Sequence, residues 1–543
     1  MSISAITIEN FKGIKEPVKV EFKPITLLFG PNSAGKSTIV QALHYAREIF
    51  EHQNLNPDQT RSGGDSVDLG GFHNLVHNHD LRNSIRLRFD FSFDSDGAFI
   101  FPTFTKDFEI ETPESEHYLE SYWYQAEDVL EPWLEITIRW NSLLGKPFIS
   151  TYKTGFGDKL FAEITVSEDG KQKAVTYLDL KSPVFLDEVG ENFALPHLGP
   201  AILDEEKNVL QLNIQESKYS HISTKQTSEG VLPVGSGMAF PDLHERSPKD
   251  LEGLSIFRDT ASFEGLLGSL LLSPVSYLCG ELNSFQYVGP LRQVPDRKYQ
   301  PKLTKSLASW AEGLAAWDKL YQADSSFIDE VNEWLCNRLG TGYTVETKQY
   351  KEIDISSPFS LALLQGNYLD EDLDLQGYFA SLPVKRRLRL RDINRDITMA
   401  PSDIGVGISQ IMPVIVLALS FRQGLFAIEQ PELHIHPALQ VALGDLFIQE
   451  IQTEKSMDEG KTFLLETHSE HLLLRFLKRI RQTTDQELPD NCSELTIDQL
   501  AVNYVESQNG KVVLTKLPVT EDGDFSEEWP SGFFEERDDE LLY

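Results

Sequence analysis

The chain is poor in cysteine, short of positive charge, and has no long uninterrupted apolar run. Only Cys279, Cys336 and Cys492 occur in 543 residues, far apart and without a Cys-x-x-Cys pair. They are too few for a disulfide framework, so the composition points to a reducing compartment. Lys plus Arg number 49 against 84 Asp plus Glu, a formal charge of −35. A field of that sign repels nucleic acid at long range, and any such binding would need a local basic face. The two most apolar stretches fail as membrane spans: 412–421 is ten residues long, and 261–278 carries Glu264 and Pro274. The opening residues 1–9 lack the basic and apolar regions of a signal peptide. The expectation is a cytoplasmic chain with no membrane partner.

Apolar material, by contrast, is ample. The chain is 40% hydrophobic, with 32 Phe, 17 Tyr and 7 Trp, enough buried surface to offset chain entropy. That excludes disorder as the dominant state, and the composition excludes collagen and coiled-coil classes. At roughly 100–200 residues per domain the length suggests about three domain-sized units.

Residues 1–100 read as an N-terminal lobe whose first forty residues run strand, turn, strand, loop, helix, with about 50–80 loop-rich. Val18, Val20 and Phe22 alternate as a half-buried strand should, and Ile25-Thr-Leu-Leu-Phe29 is a continuous apolar run that fits a buried central strand. Helical spacing resumes after Lys36 through Ile39, Val40, Leu43 and Ala46. Residues 101–380 read as a large α+β middle region inserted between two lobes. Its part from about 303 to 340 is helical, on the spacing of Trp310, Leu314, Trp317 and Leu320, then Phe327, Val331 and Trp334. Residues 381–543 read as a C-terminal lobe, with strand–helix alternation from after Arg386 to about 515 and Trp529, Phe533 and Phe534 marking a tail that docks in part.

Between the buried strand and the first helix lies Gly30-Pro-Asn-Ser-Ala-Gly-Lys36-Ser37, a full G-x-x-x-x-G-K-S match. Its glycines let main-chain N–H groups curl around phosphates, and the following helix turns its positive dipole end to the same charge. Lys36 would reach the β- and γ-phosphates and the Ser37 hydroxyl would ligate Mg²⁺. Asn32, Ser33, Gly35 and Thr38 complete the candidate nucleotide-binding set. The partner of this loop is the strand 424–428 ending in Glu429, since an acid at such a strand end is where these sheets hold Mg²⁺. Lys36 and Glu429 are separated by 393 residues of chain.

Two flanking stretches carry further candidates. Asp403-Ile-Gly405-Val-Gly407-Ile-Ser409-Gln410 is a second glycine-bearing loop that opens a helix. Residues 462–466 form another strand, followed by Thr467-His468-Ser469; His468 stands either at a γ-phosphate contact or as a structural histidine. His434, His436, His468 and His471 fit no standard zinc spacing. Asp522-Gly-Asp524 reads as a turn rather than a nuclease metal site.

Taken in chain order, Asn10-Phe-Lys-Gly13, the phosphate loop, the Gly405–Gln410 signature, Glu429-Gln-Pro-Glu-Leu-His-Ile-His-Pro437 and Glu466-Thr-His-Ser469 resemble the ABC-type ATPase heads of the RecF, SMC and OLD group. Asp68-Leu-Gly-Gly-Phe72, Tyr287-Val-Gly-Pro-Leu-Arg292 and Trp529-Pro-Ser-Gly-Phe-Phe-Glu-Glu536 are similar to stand-alone ATPases of antiphage defence, the PtuA family of Septu systems, some of them retron-associated. The likeness covers about 1–100 and 280–540. It implies an α/β P-loop head, a mixed sheet flanked by helices, interrupted by a large insertion and without a long coiled coil. It also implies ATP and Mg²⁺ as cofactors. The assembly it implies is a head-to-tail homodimer or higher oligomer, with ATP between one chain's phosphate loop and the other's signature.

Carried over, Lys36, Ser37 and Glu429 take nucleotide and Mg²⁺, Gly407 and Ser409 face the partner's γ-phosphate, and His468 is the switch histidine. Gln430 departs from the pattern, because a glutamate usually stands there to orient the attacking water. Glutamine orients water but cannot accept its proton, and a lost general base costs about 10²–10⁴-fold. Hydrolysis should be slow unless Glu432 substitutes, which leaves Gln430, Glu432 and His468 as the catalytic candidates. The resemblance further implies a switch controlling a partner HNH nuclease and, in retron-associated members, a reverse transcriptase with its nucleic acid. Two other readings stand beside it. One is a RecF-like repair ATPase holding DNA through Arg387, Arg389 and Arg391, which share one strand face; the other is an ATP-bound scaffold that never hydrolyses.

Overall fold

The computed structural model describes residues 2–59, 66–92, 131–167, 173–179, 223–224, 238–239, 271, 274–297, 299, 301, 307–357, 360–361, 364, 375–452, 460–508, 510–527 and 529. Its β-strands are β1 (Ser2–Glu9), β2 (Val18–Glu21), β3 (Ile25–Phe29), β4 (Ile85–Ser92), β5 (Pro132–Asn141), β6 (Lys146–Phe156), β7 (Lys159–Val166) and β8 (Lys173–Leu178), then the short β9 (Ser223–Thr224) and β10 (Met238–Ala239). They continue with β11 (Gln286–Val288), β12 (Tyr343–Lys351), β13 (Val384–Asp392), β14 (Ile397–Met399), β15 (Gly424–Glu429), β16 (Lys461–Glu466), β17 (Leu500–Gln508) and β18 (Lys511–Lys516).

The site is built on a six-stranded sheet of order β11-β15-β16-β3-β17-β18, parallel throughout except where β18 turns back on β17. All five residues of β3 are buried, as a parallel strand covered on both faces requires. Its alternation separates two cores. Leu28 joins Leu464, Leu425 and Ala427 against the helix Lys36–Phe50 and the antiparallel sheet β2-β1-β4-β5-β6-β7-β8. Ile25, Leu27 and Phe29 join Phe426, Ile428 and Phe463 on the other face, under the helices Val406–Ser420, Pro437–Glu450 and Glu470–Thr484. The mixed α/β architecture around a phosphate loop is thus the one the sequence implies. Among the described residues no helix is long and apolar enough to cross a membrane.

The middle region is woven into this head more closely than the 101–380 boundaries suggest. β11 pairs in parallel with β15 as the edge of the site's own sheet, and β12 pairs with β13 across residue 380. All three β11 residues are buried, so the strand belongs where both faces are covered. The expected helical part appears as Leu307–Ala311, Leu314–Gln322 and Ser325–Asn332, the last running on into the π-helical segment Glu333–Arg338; residues 303–306 lie outside the described residues. Trp317 and Trp334 are buried in the second core, and Asp324 caps the Ser325 helix by accepting the Phe327 N–H at 3.0 Å. Trp529 packs edge-on to Phe29, with ring centroids 5.6 Å apart, whereas Phe533 and Phe534 lie outside the described residues.

Candidate nucleotide and metal site

The loop after β3 owes its path to two glycines. Gly30 has φ +141°, and a Cβ there would lie 1.9 Å from the Val505 carbonyl oxygen on the neighbouring strand; Gly35 caps the helix at φ +108°. Asn32 and Ser33 are exposed at the crest, Ser33 with φ 63°. Within the loop the Ala34 amide donates to Pro31 O (3.3 Å) and the Thr38 amide to Gly35 O (3.1 Å). Among the described residues, the amides of Asn32, Ser33, Gly35, Lys36 and Ser37 make no hydrogen bond within the chain. A run of such donors at a helix N-terminus is a nest for an anion, and the chemistry suits phosphate. Lys36 is buried and curls back over the loop, its Nζ donating to Gly30 O and Pro31 O, both at 2.9 Å.

Two carboxylates face that lysine. The register sets Glu429 directly opposite Glu466 at the ends of β15 and β16, with Glu466 next to Leu28 of β3. The Ser37 hydroxyl donates to Glu466 Oε2 at 2.8 Å, and Glu466 Oε1 lies 3.8 Å from Lys36 Nζ. Tyr287 Oη donates to Glu429 Oε1 at 3.0 Å. Burial, then the charge of Glu466, pushes the Glu429 carboxyl up to about 7, against the opposing pull of Tyr287, Ser37 and Lys36. Burial raises Glu466 as well, and lowers Lys36. One hydroxyl and two carboxylates form a hard oxygen donor set of the kind Mg²⁺ takes, and they stand beside the phosphate nest.

The turn after Glu429 is held from beneath by Arg292. Its buried guanidinium donates to Glu429 O (2.7 Å), Gln430 O (3.0 Å) and Gln410 O (3.1 Å). Gln430 adopts φ 46°, its amide donating to Glu466 O at 2.7 Å. Both Glu432 carboxylate oxygens are engaged, accepting from Thr467 Oγ1 at 2.7 Å and from the His468 amide at 2.8 Å. Glu432 therefore clamps the acidic turn to the segment that carries His468. Burial, with the charge of Lys36, holds the half-buried His468 below the usual imidazole range.

The signature residues are split. Gly405 and Val406 are exposed at the start of their helix, and a Cβ on Gly407 would come to 3.0 Å from His434 O, so this helix start rests on the acidic turn. Ser409 is buried, its hydroxyl donating to Val406 O at 2.8 Å. His436, considered above for zinc, caps the next helix through Nδ1, which accepts the Ala438 N–H.

The structure thus brings Lys36, Ser37, Glu429, Gln430, Glu432 and His468 around one point, with the signature helix adjoining them. Sequence reasoning noted Tyr287, Arg292 and Glu466 only as motif letters. Glu466 ends β16, Tyr287 is the middle residue of β11 and Arg292 lies in the loop after it, positions that acquire meaning only once the strand order is known.

The basic faces are largely neutralised. On β13 Leu388 and Leu390 are buried while Arg387 and Arg391 are exposed and Arg389 is half-buried, as the alternation implies. Arg391 pairs with Asp396 (2.6 Å) and Glu346 (3.5 Å), Lys385 pairs with Glu352, and Arg387 lies 5.1 Å from the Tyr350 ring centroid. Behind His468, Arg479 grips Asp445 with two hydrogen bonds and Arg475 joins the same carboxylate. Arg481 donates to Asp522 O, tying down a turn centred on Gly523 at φ 69°.

Comparison with known proteins places both halves of the site in recognised regions. Residues 1–182 match the family described as "AAA ATPase domain", and residues 264–475 match "AAA domain, putative AbiEii toxin, Type IV TA system". Residues 495–542 match "Protein of unknown function (DUF3696)". No curated protein matches the chain. Solved structures similar to it include the SMC head domain from Thermotoga maritima (8% identity, 96% of this chain and 100% of that one, TM-score 0.36). Another is an Smc head with an extended coiled coil, bound to the C-terminal domain of ScpA derived from Pyrococcus furiosus (10%, 95% and 96%, TM-score 0.35). A third is the SmcHead bound to the C-winged helix domain of ScpA (9%, 95% and 98%, TM-score 0.34). The phosphate loop and the Glu429–His468 segment fall in the two stretches similar to AAA ATPase domains, and ATP binding by an ATPase of that broad class is the activity that follows.

Proposed function

We propose that the chain is an ATP-binding, slowly hydrolysing switch that works as a head-to-tail dimer and controls a separate effector. The observation that carries this reading is the convergence of a phosphate nest, a buried lysine and two carboxylates next to a residue, Gln430, that cannot take a proton. Ser37 and Glu429 would hold Mg²⁺, which when bound neutralises charge on the β- and γ-phosphate oxygens. Lys36 would face those oxygens and the loop amides would cradle them. Glu432, whose oxygens accept from Thr467 and from the His468 amide, supports a positioning role beside Gln430. The exposed Gly405–Val406 helix start is open to a second copy, which supports the sandwich arrangement.

The effector is an HNH nuclease of a Septu-type or retron-associated defence system, with a reverse transcriptase and its nucleic acid as companions in the latter. Support for that is the likeness of the 68–72, 287–292 and 529–536 motifs. Direct DNA binding through Arg387, Arg389 and Arg391 is less favoured, because carboxylates and Tyr350 already engage much of that face. The test is nucleotide binding and solution mass, with and without Mg²⁺, followed by capture of the HNH nuclease by the ATP-loaded chain. Binding without any change in mass, or no capture of the nuclease, contradicts the switch.

A further inference from the structure

We propose that Glu466 stands in for phosphate at Lys36 and Ser37, and that this makes ATP binding by the chain strongly dependent on Mg²⁺; the inference rests on the ATP-binding reading above. Glu466 is the last residue of a strand lying between the acidic strand β15 and the phosphate-loop strand β3. Its main chain is locked there: its carbonyl accepts the Gln430 amide at 2.7 Å, and the next amide, of Thr467, donates to Leu28 O at 3.1 Å. The side chain is 8% exposed and points at the phosphate loop. One oxygen accepts the Ser37 hydroxyl and the other lies 3.8 Å from Lys36 Nζ. These are the two groups that would grip metal and phosphate, so one carboxylate holds both.

A triphosphate entering alone would have to take Lys36 and Ser37 from Glu466 and then sit against two carboxylates, Glu429 and Glu466, in a poorly hydrated place. Like charges brought close together repel strongly where water is scarce. A divalent cation entering with the nucleotide reverses the sign of the problem, because it gives the carboxylates a partner as the phosphates claim the lysine. Glu466 is thereby a positioning residue: it orients Ser37 and Lys36 and sets the order in which charge can enter.

The test uses the full chain and a fluorescent ATP analogue, its binding followed by anisotropy in Mg²⁺ and in EDTA. Wild type should bind at least about tenfold more weakly in EDTA, and Glu466→Gln should recover most of that loss. Glu466→Ala, which also removes the hydrogen bond to Ser37, should behave likewise, so the idea survives poor folding of either variant. Glu352→Gln, remote and exposed, should keep the wild-type dependence. If wild type binds and both Glu466 variants keep its full Mg²⁺ dependence, the inference is overturned while ATP binding stands. If wild type binds the analogue in neither condition, the ATP-binding reading falls, and this inference with it.

Discussion

Arg292 and Gln410 hold each other face to face: the Arg292 amide donates to Gln410 Oε1 at 3.3 Å, and Gln410 Nε2 donates to Arg292 O at 2.8 Å. The same arginine carries the carbonyls of Glu429 and Gln430, so the signature helix and the acidic turn share one buried cation. Replacing it by alanine takes a donor from three carbonyls, but Gln430 O keeps the Leu433 amide at 3.1 Å and Gln410 O lies within the helix Val406–Ser420, so the main loss falls on Glu429 O, about 1–3 kcal/mol if left unsatisfied. Arg292→Ala should therefore destabilise the chain by roughly 1–3 kcal/mol, and Arg292→Lys should rescue little, since an ammonium lacks the fork. Denaturant unfolding measures it; a loss below about 1 kcal/mol contradicts the shared-cation account.

The raised Glu429 carboxyl makes two pH statements. Its value of about 7 exceeds the ordinary 4.5, so the folded chain keeps a proton that the unfolded chain releases between those values. The stability this contributes is fully present below about 4.5 and is lost as pH rises through 7. Metal ligation needs the charged form, so Mg²⁺-dependent nucleotide binding should weaken as pH falls below 7, by up to about tenfold per unit. Melting temperatures and analogue titrations from about pH 5 to 8 read both trends, and Glu429→Gln should flatten the first.

A second buried cation has a structural task. Lys461 Nζ donates to Ala418 O at 2.8 Å and pairs with Glu450, tying the start of β16 to the ends of two helices. Both side chains are almost fully buried. Glu450→Ala should cost about 3–5 kcal/mol by stranding the ammonium, whereas the double replacement Lys461→Met with Glu450→Leu should regain most of it. Additive losses in the two single variants and the double would contradict the pairing.

The phosphate loop separates chemistry from architecture. Lys36→Ala should leave the fold intact and weaken nucleotide on the order of 10–100-fold, the worth of a charged hydrogen bond. Gly30→Ala should instead damage the fold itself, since its Cβ meets the Val505 carbonyl at a φ that side chains rarely adopt. Circular dichroism beside analogue binding distinguishes them; a well-folded Gly30→Ala chain would contradict the close approach.

What could be read in advance was local. The phosphate loop, the acid ending a buried strand and the Arg/Leu alternation of β13 each depend on neighbours in sequence, and each stands as expected. What could not be read was register. Glu466 and Glu429 face each other only because β16 inserts between β15 and β3, and Arg292 reaches Glu429 across 137 positions of sequence. Glu432 entered as a possible substitute for the glutamate the resemblance expects at Gln430, and its bonds to Thr467 and the His468 amide could not be read from the sequence. The carboxylates that neutralise the basic strand face come from separate turns and strands, which no periodicity reveals.

The central claim is that Gln430 makes this site a slow switch. Single-turnover and steady-state ATP hydrolysis of wild type and Gln430→Glu, with solution mass recorded alongside, tests it most directly. The account expects wild type to bind ATP, assemble, and hydrolyse about 10²–10⁴-fold more slowly than Gln430→Glu. Brisk turnover by wild type, little changed in Gln430→Glu, would contradict it and show that another residue supplies the base.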